Sequence, residues 1–124
     1  MGTWGSGNLA NDEAADIRDE AAQKLMRQIL NRAAHPASAE YDEYDYFRLF
    51  YDLEVLFALT IHRLVPSWYF PHPDTVRSLR DGFMRGYDAY CSKHPIKNPE
   101  FSRERRRVIQ RTFNKFHPPL PKTP

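Results

Sequence analysis

Residues 40–64 read EYDEYDYFRLFYDLEVLFALTIHRL, and whether that run is helix or strand decides the fold. Tyr, Phe and Val favour strands, but no Gly or Pro interrupts the run. Its length without a turn favours a helix, expected to open at Ser38–Glu40 and to run to about Leu64. Phe47, Leu49, Phe50, Tyr51, Leu53, Val55, Leu56, Phe57, Ala58, Leu59 and Ile61 make its apolar content nearly continuous. A helix apolar on most sides is usually the central one of its bundle. One stripe at helical spacing is Phe47, Phe50, Glu54, Phe57 and Ile61, which puts Glu54 on a strongly apolar face.

Helices are expected on both sides of this run. Upstream, Asn11 can cap a helix with Asp12 and Glu13 in its first turn, where the helix dipole favours negative charge. Apolar positions from Ile17 to Ala33 recur at helical spacing until His35-Pro36. Downstream, VPSWYFPHP (65–73) is a proline-broken aromatic connector. A third helix is expected from Asp74 to about Ser92, with Val76, Leu79, Phe83, Met84, Tyr87 and Tyr90 inward. Gly82 and Gly86 each cost that helix roughly 1 kcal/mol against Ala, and close helix approach would explain them. Asn98-Pro99 starts a fourth helix, with Phe101, Val108, Ile109, Thr112, Phe113 and Phe116 on one face. The tail HPPLPKTP is expected to be extended or disordered. The fold class is therefore all-α: about four helices around the second, in a single helical domain over residues 1–117, with a Pro-rich tail at 118–124.

The chain has 124 residues, 41% of them apolar, which suits one domain with one core. No apolar stretch approaches the roughly 20 residues needed to span a bilayer. No basic region followed by an apolar run opens the chain, so no secretory signal is expected. The single cysteine, Cys91, leaves no intramolecular disulfide framework and makes a reducing cytosol the default compartment. Net charge is +2, but residues 1–60 hold 11 acidic and 5 basic side chains and residues 61–124 hold 5 and 13. Such a chain can dock its own halves, or keep one charged face for a macromolecular partner.

Little in the sequence points to catalysis. His35, His72, His94 and His117 each precede proline. At least three of these pairs look like helix stops, and there is no His-x-x-x-His pair, so no metal is expected. Cys91 near a helix end reads as structural. The glycines at 2, 5 and 7 follow no strand and make no dinucleotide loop. Asp12, Glu13 and Asp16 would repel an anion at the first helix N-terminus. MGTWGS matches a myristoylation pattern in form only, with no polybasic segment nearby. No cofactor, enzymatic activity or membrane partner is expected.

Two stretches suggest binding. RERRRVIQR (103–111) presents Arg103, Arg106, Arg107 and Arg111 away from the apolar face. They could contact phosphates, or form a solvated basic face. EYDEYDYF (40–47) interleaves Glu40, Asp42, Glu43 and Asp45 with Tyr41, Tyr44 and Tyr46. Tyrosines are enriched at interfaces, and carboxylates beside them could meet a basic protein. Equally, acids suit a helix start and the tyrosines could simply reach the core.

The opening, MGTWGSGNLANDEAAD (1–16), resembles that of a bacterial family known as domain of unknown function 4259. The matching residues are Met1, Gly2, Trp4, Gly5, Gly7, Asn11, Asp12, Ala15 and Asp16, with Thr3 in place of the usual alanine. LEVLFAL (53–59) is a weaker echo of the family's second helix. The family has no settled activity, so the resemblance implies a small bacterial helical protein. A structural role for the opening follows from the residues themselves. A buried Glu54 would need donors, and the Trp4 indole N–H and the backbone N–H groups around Gly5 and Gly7 could supply them. The expected arrangement is a glycine-rich loop docked on Glu54. The alternatives are Glu54 turned to solvent or paired with an arginine such as Arg80.

The function expected is that of a small cytoplasmic protein-binding protein. Its most concrete form is an immunity protein that neutralises a toxin domain by covering it. Its partner-binding residues would be Glu40 to Tyr46. The alternative is a nucleic-acid-associated protein using the arginines of the last helix.

Overall fold

A computed structural model of the chain describes residues 7–8, 10–35, 44–94 and 98–119. It is all-α: α1 (Asp12–Ala34), α2 (Tyr44–Ile61), α3 (Pro73–Lys93) and α4 (Pro99–Asn114), with a 3-10 turn at Ser67–Tyr69 between α2 and α3. Both helix starts that the sequence marks with asparagine are capped. Asn11 Oδ1 accepts from Ala14 N at 2.8 Å, and Asn98 Oδ1 accepts from Glu100 N at 3.0 Å and Phe101 N at 3.3 Å. These bonds satisfy backbone donors that a helix start leaves free.

The histidine–proline pairs divide. His35 and His94 are the C-caps of α1 and α3, and His117 lies just beyond α4. His72 instead begins a helix: its Nδ1 accepts from Asp74 N at 3.0 Å, while Pro73 takes the first helical position. Pro suits that position because its missing N–H would have no partner there.

α2 ends at Ile61 without glycine or proline. Arg63 adopts a left-handed φ of 59°, and Leu64 N donates to Leu59 O at 2.9 Å while Arg63 N donates to Thr60 O at 3.0 Å. Glycine usually fills this helix-ending position, so the stop is not visible in residue type. The expected opening at Ser38–Glu40 lies outside the described residues.

The core combines Ala22, Met26, Ile29 and Ala33 of α1, Leu49, Leu53 and Leu56 of α2, Phe83 and Met84 of α3, and Ile109 and Phe113 of α4. By backbone approach α1 is the hub, lying against α2, α3 and the 3-10 turn, while α3 pairs with α4. α2 reaches α3 and α4 through aromatic side chains. Phe50 meets Phe83 and Phe113 edge-on at centroid distances of 5.6 and 6.3 Å, and Phe83 meets Phe113 at 5.5 Å. α2 thus touches α1, α3 and α4, but through one face; its other face carries exposed aromatics.

Two further positions differ from expectation. Phe101 is exposed, one turn too early to reach the core. At Gly82 an added Cβ would meet only the flexible end of Arg85, at 3.8 Å, so no close helix approach requires glycine there.

Candidate protein-binding face

Of the seven residues expected to bind a partner, Glu40, Tyr41, Asp42 and Glu43 lie outside the described residues. The other three separate. Tyr44 is exposed. Asp45 accepts from Arg32 Nε at 3.2 Å. Tyr46 is buried and is removed from the partner-binding set. Its ring packs against Phe50 and Phe83. Its phenolic oxygen accepts from Arg105 Nε, and the Arg105 guanidinium lies over the Phe50 ring, 4.7 Å from its centroid. Burial raises the Tyr46 pKa, against the pull of Arg105.

Glu54 is also corrected. It is exposed, and so are Phe47 and Ile61 of the same expected stripe. That stripe follows the largest side chains, whereas the buried one runs through Tyr46, Leu49, Leu53 and Leu56. The loop-docking expectation loses its premise, because Glu54 needs no buried donors. Trp4 and Gly5 lie outside the described residues. Gly7 is exposed, and its carbonyl accepts from Ala10 N at 3.1 Å in a turn before α1.

The buried acid of α2 is Asp52, only 1% exposed. Its two carboxylate oxygens divide between two arginines: Oδ1 accepts from Arg48 Nε at 3.0 Å and Oδ2 from Arg32 Nη1 at 3.3 Å. Arg32 therefore bridges Asp52 and Asp45, fixing α1 against the N-terminal half of α2. The i,i+4 spacing of Arg48 and Asp52 is visible in the sequence. The partner from α1 is not.

Three of the four arginines of the expected basic face meet two carboxylates within their own half of the chain. Arg106 makes a two-pronged contact with Asp88 of α3 at 2.9 and 3.2 Å, which raises its pKa. Arg107 and Arg111 both reach Glu104, at 3.3 and 3.7 Å. Arg103 is exposed, with no ion pair among the described residues.

Among the described residues, a surface that stands out is the outer side of α2. Tyr44, Phe47, Tyr51, Glu54, Ala58 and Ile61 line it; the four large apolar side chains among them are all well exposed. Their separations alternate between three and four residues, which places them on one helix face. Beside the C-terminal half of this face, an open groove of about 480 Å³ runs between α2, through Glu54, Phe57, Ala58, Thr60 and Ile61, and the segment beyond α4, through Lys115, His117 and Pro119. Among the described residues no three His, Cys, Asp or Glu side chains gather to hold a metal ion, and no helix is long and apolar enough to cross a membrane. No family model, curated protein or solved structure matches the chain.

Proposed function

We propose that this protein acts by binding another protein through the outer face of α2, most concretely as a bacterial, cytosolic immunity protein that covers a toxin domain. The reading rests on one observation, the exposed row of Tyr44, Phe47, Tyr51 and Ile61 on one helix face. Contiguous apolar surface of this kind marks interaction sites, and tyrosine and phenylalanine are among the residue types enriched there. Residues 40–43, which directly precede Tyr44 in the chain, bring three carboxylates next to that row in sequence. Acidic groups at the rim of an apolar face speed encounter with a basic partner, as a nuclease toxin would be. The protein inhibits by occupying a surface and performs no chemistry of its own. The resemblance of residues 1–16 to the domain of unknown function 4259 family adds only a bacterial setting.

The test uses genomic position to choose the partner. The toxin domain encoded by the gene directly upstream is expressed with this protein in a host it would otherwise kill. Growth is expected with the unaltered chain and is expected to fail with Phe47→Asp/Tyr51→Asp, two exposed positions that leave the core untouched. Toxicity that persists with the unaltered chain, or rescue by the double variant, would defeat the reading.

A further inference from the structure

The outer face of α2 is complementary to itself. Its six residues occupy the two seam positions of a heptad pattern: Tyr44, Tyr51 and Ala58 in one, Phe47, Glu54 and Ile61 in the other. When two such helices pair antiparallel across a twofold axis, each first-position residue meets a second-position residue of the other copy. The register centred between residues 52 and 53 then sets Tyr44 opposite Ile61, Phe47 opposite Ala58, and Tyr51 opposite Glu54, each contact occurring twice.

All three pairings are chemically favourable. The large Phe47 ring faces Ala58, the smallest side chain of the row. The three rings of the row stand on one half of the face and its smallest side chain on the other. The Tyr51 hydroxyl can donate to the Glu54 carboxylate, the only charged group in the row. A self-complementary patch of this kind is what a closed twofold dimer requires.

The available area is sufficient. Tyr44, Phe47, Tyr51 and Ile61 are 68%, 59%, 62% and 78% exposed. At roughly 200 Å² per large side chain, these four offer about 500 Å² per copy, or about 1,000 Å² for the pair, near the size at which specific dimers begin. Glu54, Ala58 and the flanks add to that. We infer that, when no other partner is bound, a second copy of this chain covers the outer face of α2 through an antiparallel α2–α2 contact. The inference rests on the proposed use of this face for protein binding and names its occupant in the isolated chain.

Sedimentation equilibrium of the purified full chain tests it, with circular dichroism confirming that each variant keeps its helix content. The unaltered chain should dimerise. Tyr51→Glu sets two carboxylates against each other twice and should weaken the dimer on the order of a hundredfold. Adding Glu54→Arg to that variant sets a carboxylate at position 51 against a guanidinium at position 54 of the other copy and should restore dimerisation. A parallel pairing would not recover, because like charges would then meet at both positions. Ala58→Phe should also weaken the dimer by setting a second large ring against Phe47. A monomer at all concentrations, a dimer indifferent to Tyr51→Glu, or no recovery in the double variant overturns the inference. If the unaltered chain is monomeric yet still protects cells from the upstream toxin, the dimer fails while the protein-binding reading stands.

Discussion

Removing the two arginines around Asp52 should cost more stability than removing the charge of Asp52 itself. Asp52 is almost wholly buried, whereas the side chains of Arg32 and Arg48 are 23% and 40% exposed. In Arg32→Met/Arg48→Met the carboxyl group keeps its place in the core but loses both donors. A buried charge left without compensation costs about 3–5 kcal/mol. In Asp52→Asn the shape is kept and the charge removed. Both arginines can turn toward water, and Arg32 retains Asp45. The loss should then be about 1–2 kcal/mol, close to that of a single hydrogen bond to a charged group. Urea unfolding followed by far-ultraviolet circular dichroism separates the two. With a slope of about 1.5 kcal/mol per molar urea, the arginine double variant should lose about 2–3 M from its midpoint and the Asn variant about 1 M. Small domains hold only about 5–15 kcal/mol in total, so the double variant should unfold well below the melting temperature of the parent chain. An Asp52→Asn loss as large as that of the double arginine variant would overturn this explanation, because the arginines, not the desolvated acid, would then set the energetics.

Arg105→Ala should destabilise by about 1.5–3 kcal/mol in the same assay, since it removes a charged donor to the buried Tyr46 and a cation over the Phe50 ring. Arg103→Ala, on the solvated side of the same helix, should change stability by less than about 0.5 kcal/mol. Gly82→Ala should stabilise by about 1 kcal/mol, read as a higher urea midpoint, because the position is helical and its added Cβ meets only a flexible side chain. The Tyr46 and Tyr87 pKa values are raised above the ordinary 10.0, in both cases chiefly by burial, with the Cys91 thiol adding to the effect at Tyr87. Their contribution to stability is therefore complete below about pH 10 and is lost as pH rises through their folded values. An ultraviolet titration should find both ionising above the ordinary tyrosine range, and pH-dependent unfolding should show the loss only in the alkaline range.

How much of the fold is legible in the sequence depends on whether the cause is local. The start of α1 and the start of α4 rest on Asn11, Asn98 and Pro99, which act within three residues, and both are readable. The end of α2 rests on the left-handed turn at Arg63, which no residue type announces. The phase of α2 is ambiguous because the helix is apolar on two faces. Phe47, Phe50, Phe57 and Ile61 form one plausible stripe, and only packing against α1 shows that Leu49, Leu53 and Leu56 form the buried one. That single shift turns Glu54 outward and Asp52 inward. The role of Arg105 is within reach of the sequence, since it lies four and eight residues before the buried Ile109 and Phe113 and so shares their face. Its target, Tyr46, lies 59 residues away in the chain, and no local pattern supplies such a contact. The tyrosine–carboxylate patch suggests binding as a block of adjacent residues. A helix separates adjacent residues by about 100°, so Tyr44, Asp45 and Tyr46 go to solvent, to Arg32 and to the core.

Docking of another protein on the outer face of α2 is tested most directly by site-specific photo-crosslinking. A benzophenone amino acid is placed at position 51, on that face, or at position 68, where Trp68 is equally exposed but lies off α2. Each labelled chain is irradiated with the protein encoded by the gene directly upstream. The expected result is a covalent adduct from position 51 and none from position 68. Adducts from position 68 alone, or equal labelling from both positions, would contradict docking on α2.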